Sequence, residues 1–343
     1  MHEAVQDDKG HGSLFGGIVM KDVVNFGESV RARLLAIAKQ ENVQLEYLLL
    51  RYALERFLYR LGKTEHVDRL VLKGASAFAV WLGPYARVTR DADVEAFGFE
   101  SPEATVEIFK EICSLPYPED AVEFDTGSFT WEQTKKHGEY PGVRIKFNAA
   151  IGGARVALQF DVGVGDSVYP PAEMEEYPTL LGHAAPRLRI YPRYTVVSEK
   201  FSNMLIRGML NSRLKDYYDI WMLSRTFDFS GKILAEAIAR TFERRHVAMP
   251  ASTPESLSPE FAKSPMKVRG WESFVKTVGH ARKPESLMDA VADVKQFLEP
   301  ALAGKDMSGL IWRSCKCRWT NLKSGASANR RNATAVEASQ WVT

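Results

Sequence analysis

Residues 69–97 read RLVLKGASAFAVWLGPYARVTRDADVEAF, and the order of signals in this stretch sets the fold. Arg69–Leu72 is a short apolar run that reads as a strand. Lys73-Gly74-Ala75-Ser76 then turns the chain into an apolar helix, Ala77–Leu82, which Gly83-Pro84 ends. Thr89–Phe97 alternates with period two: Val94 and Ala96 point one way, while Asp91, Asp93 and Glu95 share the other face. A glycine at a strand-to-helix turn lets the backbone approach a phosphate closely, and the helix start offers unpaired N–H groups to it. Carboxylates at i and i+2 of a strand are spaced to share divalent cations. Each signal also has an ordinary reading. A Gly-Ser turn is usually a helix cap, and three acids on one strand face are usually a solvated edge.

Further along, Val143, Ile145 and Phe147 alternate with Arg144, Lys146 and Asn148, and Val156, Leu158, Phe160 and Val162 alternate with Ala157, Gln159 and Asp161. Gly152-Gly153 between the two runs predicts a hairpin. Asp161 therefore sits on a polar strand face beside Gly163 and Gly165. It is either a solvent-facing residue or a third metal ligand or base next to Asp91 and Asp93. Three acids gathered on a small mixed sheet are what metal-assisted phosphoryl or nucleotidyl transfer requires.

The flanks read as helices. Upstream, from Phe26 to Leu61, a stripe of Leu45, Leu48, Leu49, Tyr52, Ala53, Phe57 and Leu61 has helical spacing, with Arg51, Glu55 and Lys63 off it. Past a proline-rich stretch the pattern predicts helices over Val196–Leu210, Leu214–Thr226, Lys232–Arg245 and Glu285–Leu302, with a linker over 249–265. Glu199-Lys200 lies in the first of these helices and Arg213-x-Lys215-Asp216-x-x-Asp219 opens the second. Asp216 and Asp219 share a helix face, which reads either as a salt-bridged surface or as a rigid polar site. Arg187, Arg189 and Arg193 interleaved with Tyr191 and Tyr194 could grip a nucleic acid or form an edge strand. Arg240, Arg244, Arg245 and His246 close a helix, where cations meet its dipole favourably or contact RNA. Cys315-x-Cys317 lacks a second ligand pair and does not make a zinc site.

Composition bounds the rest. With 343 residues, 45% apolar and 26% charged, the chain is long enough for one large or two ordinary folded domains. No apolar run is long enough to span a membrane, the acidic start is unlike a secretory signal, and three cysteines suit a reducing compartment. The expected location is the cytoplasm. Net charge is +2, but residues 305–343 hold seven Lys/Arg against two Asp/Glu, so any nucleic-acid contact by the folded part must be a local patch. The expected division is a flexible N-terminus over 1–22, an α+β unit with its helical lead-in over 23–195, a helical unit over 196–304, and a poorly ordered basic tail over 305–343.

The blocks LVLKGASAFAVW, RVTRDADVEAFG, VALQFDVGVGD, VVSEKFSNML and NSRLKDYYDIWML, in that order, resemble the AbiEii/AbiGii toxin family, minimal nucleotidyltransferases of the polymerase-beta-like superfamily. The resemblance runs from about Val23 to Leu223 and more weakly to Leu302. It implies an α+β fold with a small mixed sheet flanked by helices and a helical C-terminal part. It further implies Mg2+ or Mn2+ held by Asp91, Asp93 and Asp161, and a nucleoside triphosphate (NTP) bound at Lys73, Gly74, Ser76, Arg213, Lys215 and Asp219. Lys200 and Asp216 join the three acids as catalytic residues. Ala75 stands where many members have a second glycine. The implied acceptor is the tRNA 3′ end or another RNA. The implied setting is a toxin–antitoxin or phage-defence system, with a cognate antitoxin, often a winged-helix DNA-binding protein. A D-x-D glycosyltransferase using a sugar nucleotide and a catalytically silent subunit of a defence complex are the alternatives.

Overall fold

The computed structural model describes residues 26–83, 89, 91–98, 101–134, 142–278 and 282–322. The expected flexible N-terminus, Pro84 and the last 21 residues of the expected tail lie outside them. The chain opens with α1 (Phe26–Gln40) and α2 (Leu45–Leu61). The apolar stripe of α2 is wider than its periodicity indicates, because Glu55, Arg56 and Arg60 are buried with it. They tolerate burial because each is partnered. Glu55 pairs with Arg56 at 2.9 Å and accepts from the Leu180 N–H, and Arg60 forks onto the buried Asp120.

Next come β1 (Leu70–Lys73), α3 (Gly74–Leu82), β2 (Ala92–Ala96) and α4 (Pro102–Ser114), whose first turn is capped by the Ser101 hydroxyl accepting from Ala104 N–H. Strands β3 (Val122–Thr134), β4 (Gly142–Ile151), β5 (Ala154–Val164), β6 (Glu173–Glu176) and β7 (Arg187–Ile190) complete a seven-stranded sheet in the order β3-β4-β5-β2-β1-β7-β6. The sheet is mixed: β2–β5 and β1–β7 are parallel and the other pairs antiparallel. The β4–β5 hairpin turns on Gly152 and Gly153, at φ +52° and +77°. Two successive positive φ values are what this tight turn demands of its central residues. Strand β2 is shorter than expected, and Asp91 precedes it in the loop.

The second half is helical: α5 (Arg193–Arg207), α6 (Leu214–Thr226), α7 (Gly231–Arg244), α8 (Pro259–Lys263), α9 (Pro265–Lys276) and α10 (Leu287–Leu302). The expected 249–265 linker is partly structured, since α8 buries Phe261 and the turn before it buries Leu257.

The expected unstructured tail is corrected over 305–322. There β8 (Phe229–Ser230), β9 (Leu310–Arg313) and β10 (Arg318–Asn321) form a small antiparallel sheet. Trp312 is 2% exposed, donates to the Ser224 carbonyl at 2.6 Å and meets Phe297 edge-on. Low helical periodicity hid this segment because its two short strands carry one aromatic each, Trp312 buried and Trp319 half-buried, rather than a stripe.

Buried apolar residues fall into two clusters. One lies between α1, α2, α4 and the sheet, and the other among α5–α10 and the small sheet. Helix α3 serves both, giving Ala77 and Ala79 to the first and Phe78 and Leu82 to the second.

Candidate active site

A cleft of about 350 Å³ opens where the large sheet meets α5 and α6. Its sheet side is built by register. Lys73 on β1 lies opposite Asp93 on β2, Asp93 opposite Asp161 on β5, and Asp161 opposite Arg144 on β4. Residues directly opposite in a ladder project to one face, so a single row carries cation, acid, acid, cation across four strands.

Gly74 begins α3 at φ +66°, where an L side chain is strained, and a Cβ there would lie 2.8 Å from Asp93 Cγ. Glycine is thus required both by the turn and by the approach of the Asp93 carboxylate. The positive φ falls on Gly74 alone. Ala75 takes ordinary helical backbone in the buried first turn, so the missing second glycine does not loosen the turn. The Ser76 hydroxyl is buried and donates to the Asp91 carbonyl at 3.2 Å, which also accepts from Thr89 at 3.0 Å. Ser76 therefore anchors the loop that presents Asp91.

Asp161 and Arg144 form a two-pronged pair, with Nε donating to Oδ1 at 2.8 Å and a terminal nitrogen to Oδ2 at 3.1 Å. Glu132 on β3 approaches the same guanidinium at 3.5 Å. The Asp161 hydrogen bonds, opposed by desolvation and reinforced by the charges of Asp161, Glu132 and Asp91, hold the Arg144 pKa above its ordinary value. Arg144 was visible in the sequence only as a polar residue of the alternation. Counting eight residues outward from each glycine of the Gly152-Gly153 turn nevertheless lands on Arg144 and Asp161, and that count is the signal that finds it.

Lys73 is not poised for a ligand. Its ammonium is paired with Glu95 and, at 3.2 Å, with Asp166, and it lies over the Tyr191 ring. Burial opposes the charge, yet Glu199, Glu95 and Asp166 together raise the Lys73 pKa above its ordinary value. Glu95 is fully buried, and that burial, only partly offset by Lys73, pushes its carboxyl up. Arg245 extends the network by reaching Asp166 at 3.1 Å and Glu199 at 3.2 Å, while Tyr191 donates to Glu199 at 2.7 Å.

This network absorbs cations that the sequence offered to RNA. Arg245 and Arg244 brace the end of β5, Arg244 donating to the Gly165 carbonyl, and Arg240 covers Tyr169. Arg189 pairs with Asp68 at 2.7 Å, Arg193 lies over Phe227 and Tyr194, and the Tyr194 hydroxyl accepts from Ser230 N–H.

The helical side of the cleft centres on Lys200 of α5, held by Asp216 at 2.7 Å and Asp219 at 2.8 Å, both on α6. Both acids are buried. The two acids are salt-bridged, but to Lys200 and in a buried position rather than on a surface, and Lys200 and Asp216 also line the cleft. Oδ2 of Asp216 is buried and makes no hydrogen bond among the described residues. Arg207, Arg213 and Lys215 line the same cleft and are exposed. Asp219 and Ser76 are not in its lining, and neither is Asp91.

Oxygen donors of this kind suit a divalent cation. Mg2+ is commonly bound through one or two carboxylates, with substrate phosphates completing its shell. Asp93 and Asp161 bring two carboxylates to the cleft, while Asp91 precedes β2 in the adjoining loop. Among the described residues no three His, Cys, Asp or Glu side chains form a metal-holding group by themselves.

A family profile described as the nucleotidyl transferase AbiEii toxin of a type IV toxin–antitoxin system matches residues 56–299. The chain belongs to this AbiEii family. It is accordingly a nucleotidyltransferase, which sets the sugar-nucleotide reading aside. The matched span contains every strand of the large sheet and both walls of the cleft. No curated protein matches the chain. Two H. pylori crystal structures, one described as a nucleotidyltransferase and one of JHP933, give TM-scores of 0.45 and 0.44. Their identities are 14% and 13%; each covers 76% of this chain, with 98% and 93% of their own chains aligned. Likeness this low decides neither site nor substrate. No helix among the described residues is long and apolar enough to cross a membrane.

Proposed function

We propose that this AbiEii family member is a divalent-metal-dependent toxin that moves a nucleotide from an NTP onto the 3′ end of an RNA, tRNA being the foremost acceptor. The observation that supports this most is the Asp93–Asp161 register beside Gly74, opening on a cleft rimmed by Arg207, Arg213 and Lys215. Asp91 and Asp93 would hold Mg2+ or Mn2+, which when bound offsets charge on the triphosphate.

The chain's own groups do the rest. Gly74 leaves room for the phosphates to approach Asp93, and Arg213 and Lys215 draw the triphosphate into the cleft. Lys200 lends positive charge while keeping Asp216 in place. Asp216, which lines the cleft and is held by Lys200, orients the attacking hydroxyl and takes its proton. Asp161 stands ready as a further metal ligand once Arg144 gives way.

A cognate antitoxin, for which a winged-helix DNA-binding protein is the expected type, would oppose the activity in the cytoplasm. The expected division into a transferase unit over 23–195 and a helical unit over 196–304 would place the cleft between them. Incubation with each α-labelled NTP, Mg2+ and total RNA tests the reaction: label enters RNA with at least one NTP. Absence of labelled RNA with all four, at enzyme concentrations that arrest growth in cells, would remove this reading.

A further inference from the structure

Arg144 is a charged cleft residue for which neither the sequence motifs nor the transfer reaction provides a role. It faces the cleft from β4, its two nitrogens occupy both oxygens of Asp161, and Asp161 is the direct ladder partner of Asp93. A guanidinium fork and a divalent cation seek the same thing from a carboxylate, its in-plane oxygen lone pairs. They cannot both be fully satisfied by one Asp161. An arginine fork also matches phosphate as well as it matches carboxylate. Glu132, 3.5 Å away and more exposed, offers the guanidinium a second anchor at the cleft edge.

We propose that Arg144 and a divalent cation compete for Asp161, so that cation binding releases the Arg144 fork to clamp the triphosphate. This rests on the metal-dependent reading above and adds an order of events to it. Cation first, then the arginine, makes NTP affinity depend on metal more steeply than charge neutralisation alone. Arg144 touches substrate in this scheme and acts as a binding residue, with Asp161 shared in turn between the two partners.

Competition gives Arg144→Ala two effects of opposite sign, which a merely structural arginine would not produce. Binding of Mn2+ alone, followed by electron paramagnetic resonance without nucleotide, should tighten at least threefold. In transfer assays, the KM for NTP should rise at least tenfold, with a smaller change in kcat. Arg144→Lys keeps the charge but loses the fork, and should fall between wild type and alanine in both measurements. In an Asp161→Asn background, Arg144→Ala should change Mn2+ binding less than twofold, because the contested carboxylate is gone. Circular dichroism confirms that each variant is folded.

Unchanged or weaker Mn2+ binding in folded Arg144→Ala, with wild-type binding intact, overturns the competition and leaves the metal-dependent reading standing. No Mn2+ binding by either wild type or Arg144→Ala without nucleotide also overturns the competition, and no Mn2+ binding by either protein with NTP present overturns the metal-dependent reading as well.

Discussion

Gly74 and Asp93 are packed so closely that a single added methyl group on Gly74 would overlap the Asp93 carboxylate. The turn that begins α3 and the acid on β2 are therefore one structural unit, although they lie nineteen positions apart in the chain.

Gly74→Ala tests this unit. The substitution must displace Asp93 or the turn, and it also places alanine at φ +66°, a backbone conformation costing about 1–2 kcal/mol for an L residue. A misplacement of about 1 Å at a reacting centre costs on the order of 100-fold. Transfer activity should fall by about that factor while the circular dichroism spectrum stays native. Activity within threefold of wild type would show that Asp93 does not need its present position.

Lys200→Met tests the ion-pair triad. A lysine on the polar side of a helix is ordinarily dispensable for stability, but Lys200 answers two carboxylates that are almost fully buried. Removing one partner of such a group costs about 3–5 kcal/mol, because the remaining charges are left uncompensated. The melting temperature should drop by several degrees, and adding Asp216→Asn should restore part of it. An unchanged melting temperature in Lys200→Met would mean that the pairing contributes little to the fold.

Truncation after Gly304 tests the C-terminal hairpin. It removes Trp312 from a site where it is 2% exposed, together with its hydrogen bond to Ser224. Loss of a buried aromatic costs about 3–5 kcal/mol, so the melting temperature should fall by more than about 5 °C. Truncation after Leu322 keeps the hairpin and provides the matched comparison. Equal melting temperatures for the two would show that the hairpin does not stabilise the domain it covers.

Glu55 gives a pH dependence. Burial pushes its carboxyl up to about 7, against the charge of Arg56 and the Leu180 N–H, which pull it down. The folded state therefore binds more protons at this site than the unfolded state between about pH 4.5 and 7. The associated stability is fully present below about pH 4.5 and is lost as pH rises through 7, on the order of 3 kcal/mol in all. Glu55→Gln cannot titrate, so its melting temperature should depend less on pH across that window, with the largest gain over wild type near pH 8. Parallel melting curves for both proteins from pH 4.5 to 8 would contradict the shift.

Much of the fold was legible because local rules set it. The Lys73–Ser76 turn, the alternation of β4 and β5 around Gly152-Gly153, and the apolar stripes of α5, α6, α7 and α10 each lie within one short window. Strand β3 was hidden because its register slips between Asp125 and Thr130, which breaks the period-two pattern. Helices α4 and α9 carry apolar stripes that were passed over between stronger signals. The site followed the same division. Gly74, Asp93, Asp161, Lys200 and Asp216 do line one cleft with Arg213 and Lys215, as their motif order implied. The partners that consume their charges could not be read locally. Lys73 meets Asp166 across 93 positions, and Arg245 meets Asp166 across 79. Long-range ion pairs of this kind have no sequence period, so cations committed inside the fold look in the sequence like cations free to bind RNA.

Metal-dependent transfer is tested most directly by a single-turnover assay of Asp93→Asn against wild type. An α-labelled NTP that labels RNA serves as the probe, followed as Mg2+ is titrated. Wild type should label RNA in proportion to Mg2+ occupancy and stop on addition of EDTA. Folded Asp93→Asn, missing one charged ligand beside Gly74, should be about 100- to 1,000-fold slower, the scale of losing a principal electrostatic stabiliser of the transition state. Wild-type labelling by Asp93→Asn, or labelling that persists in EDTA, would contradict it.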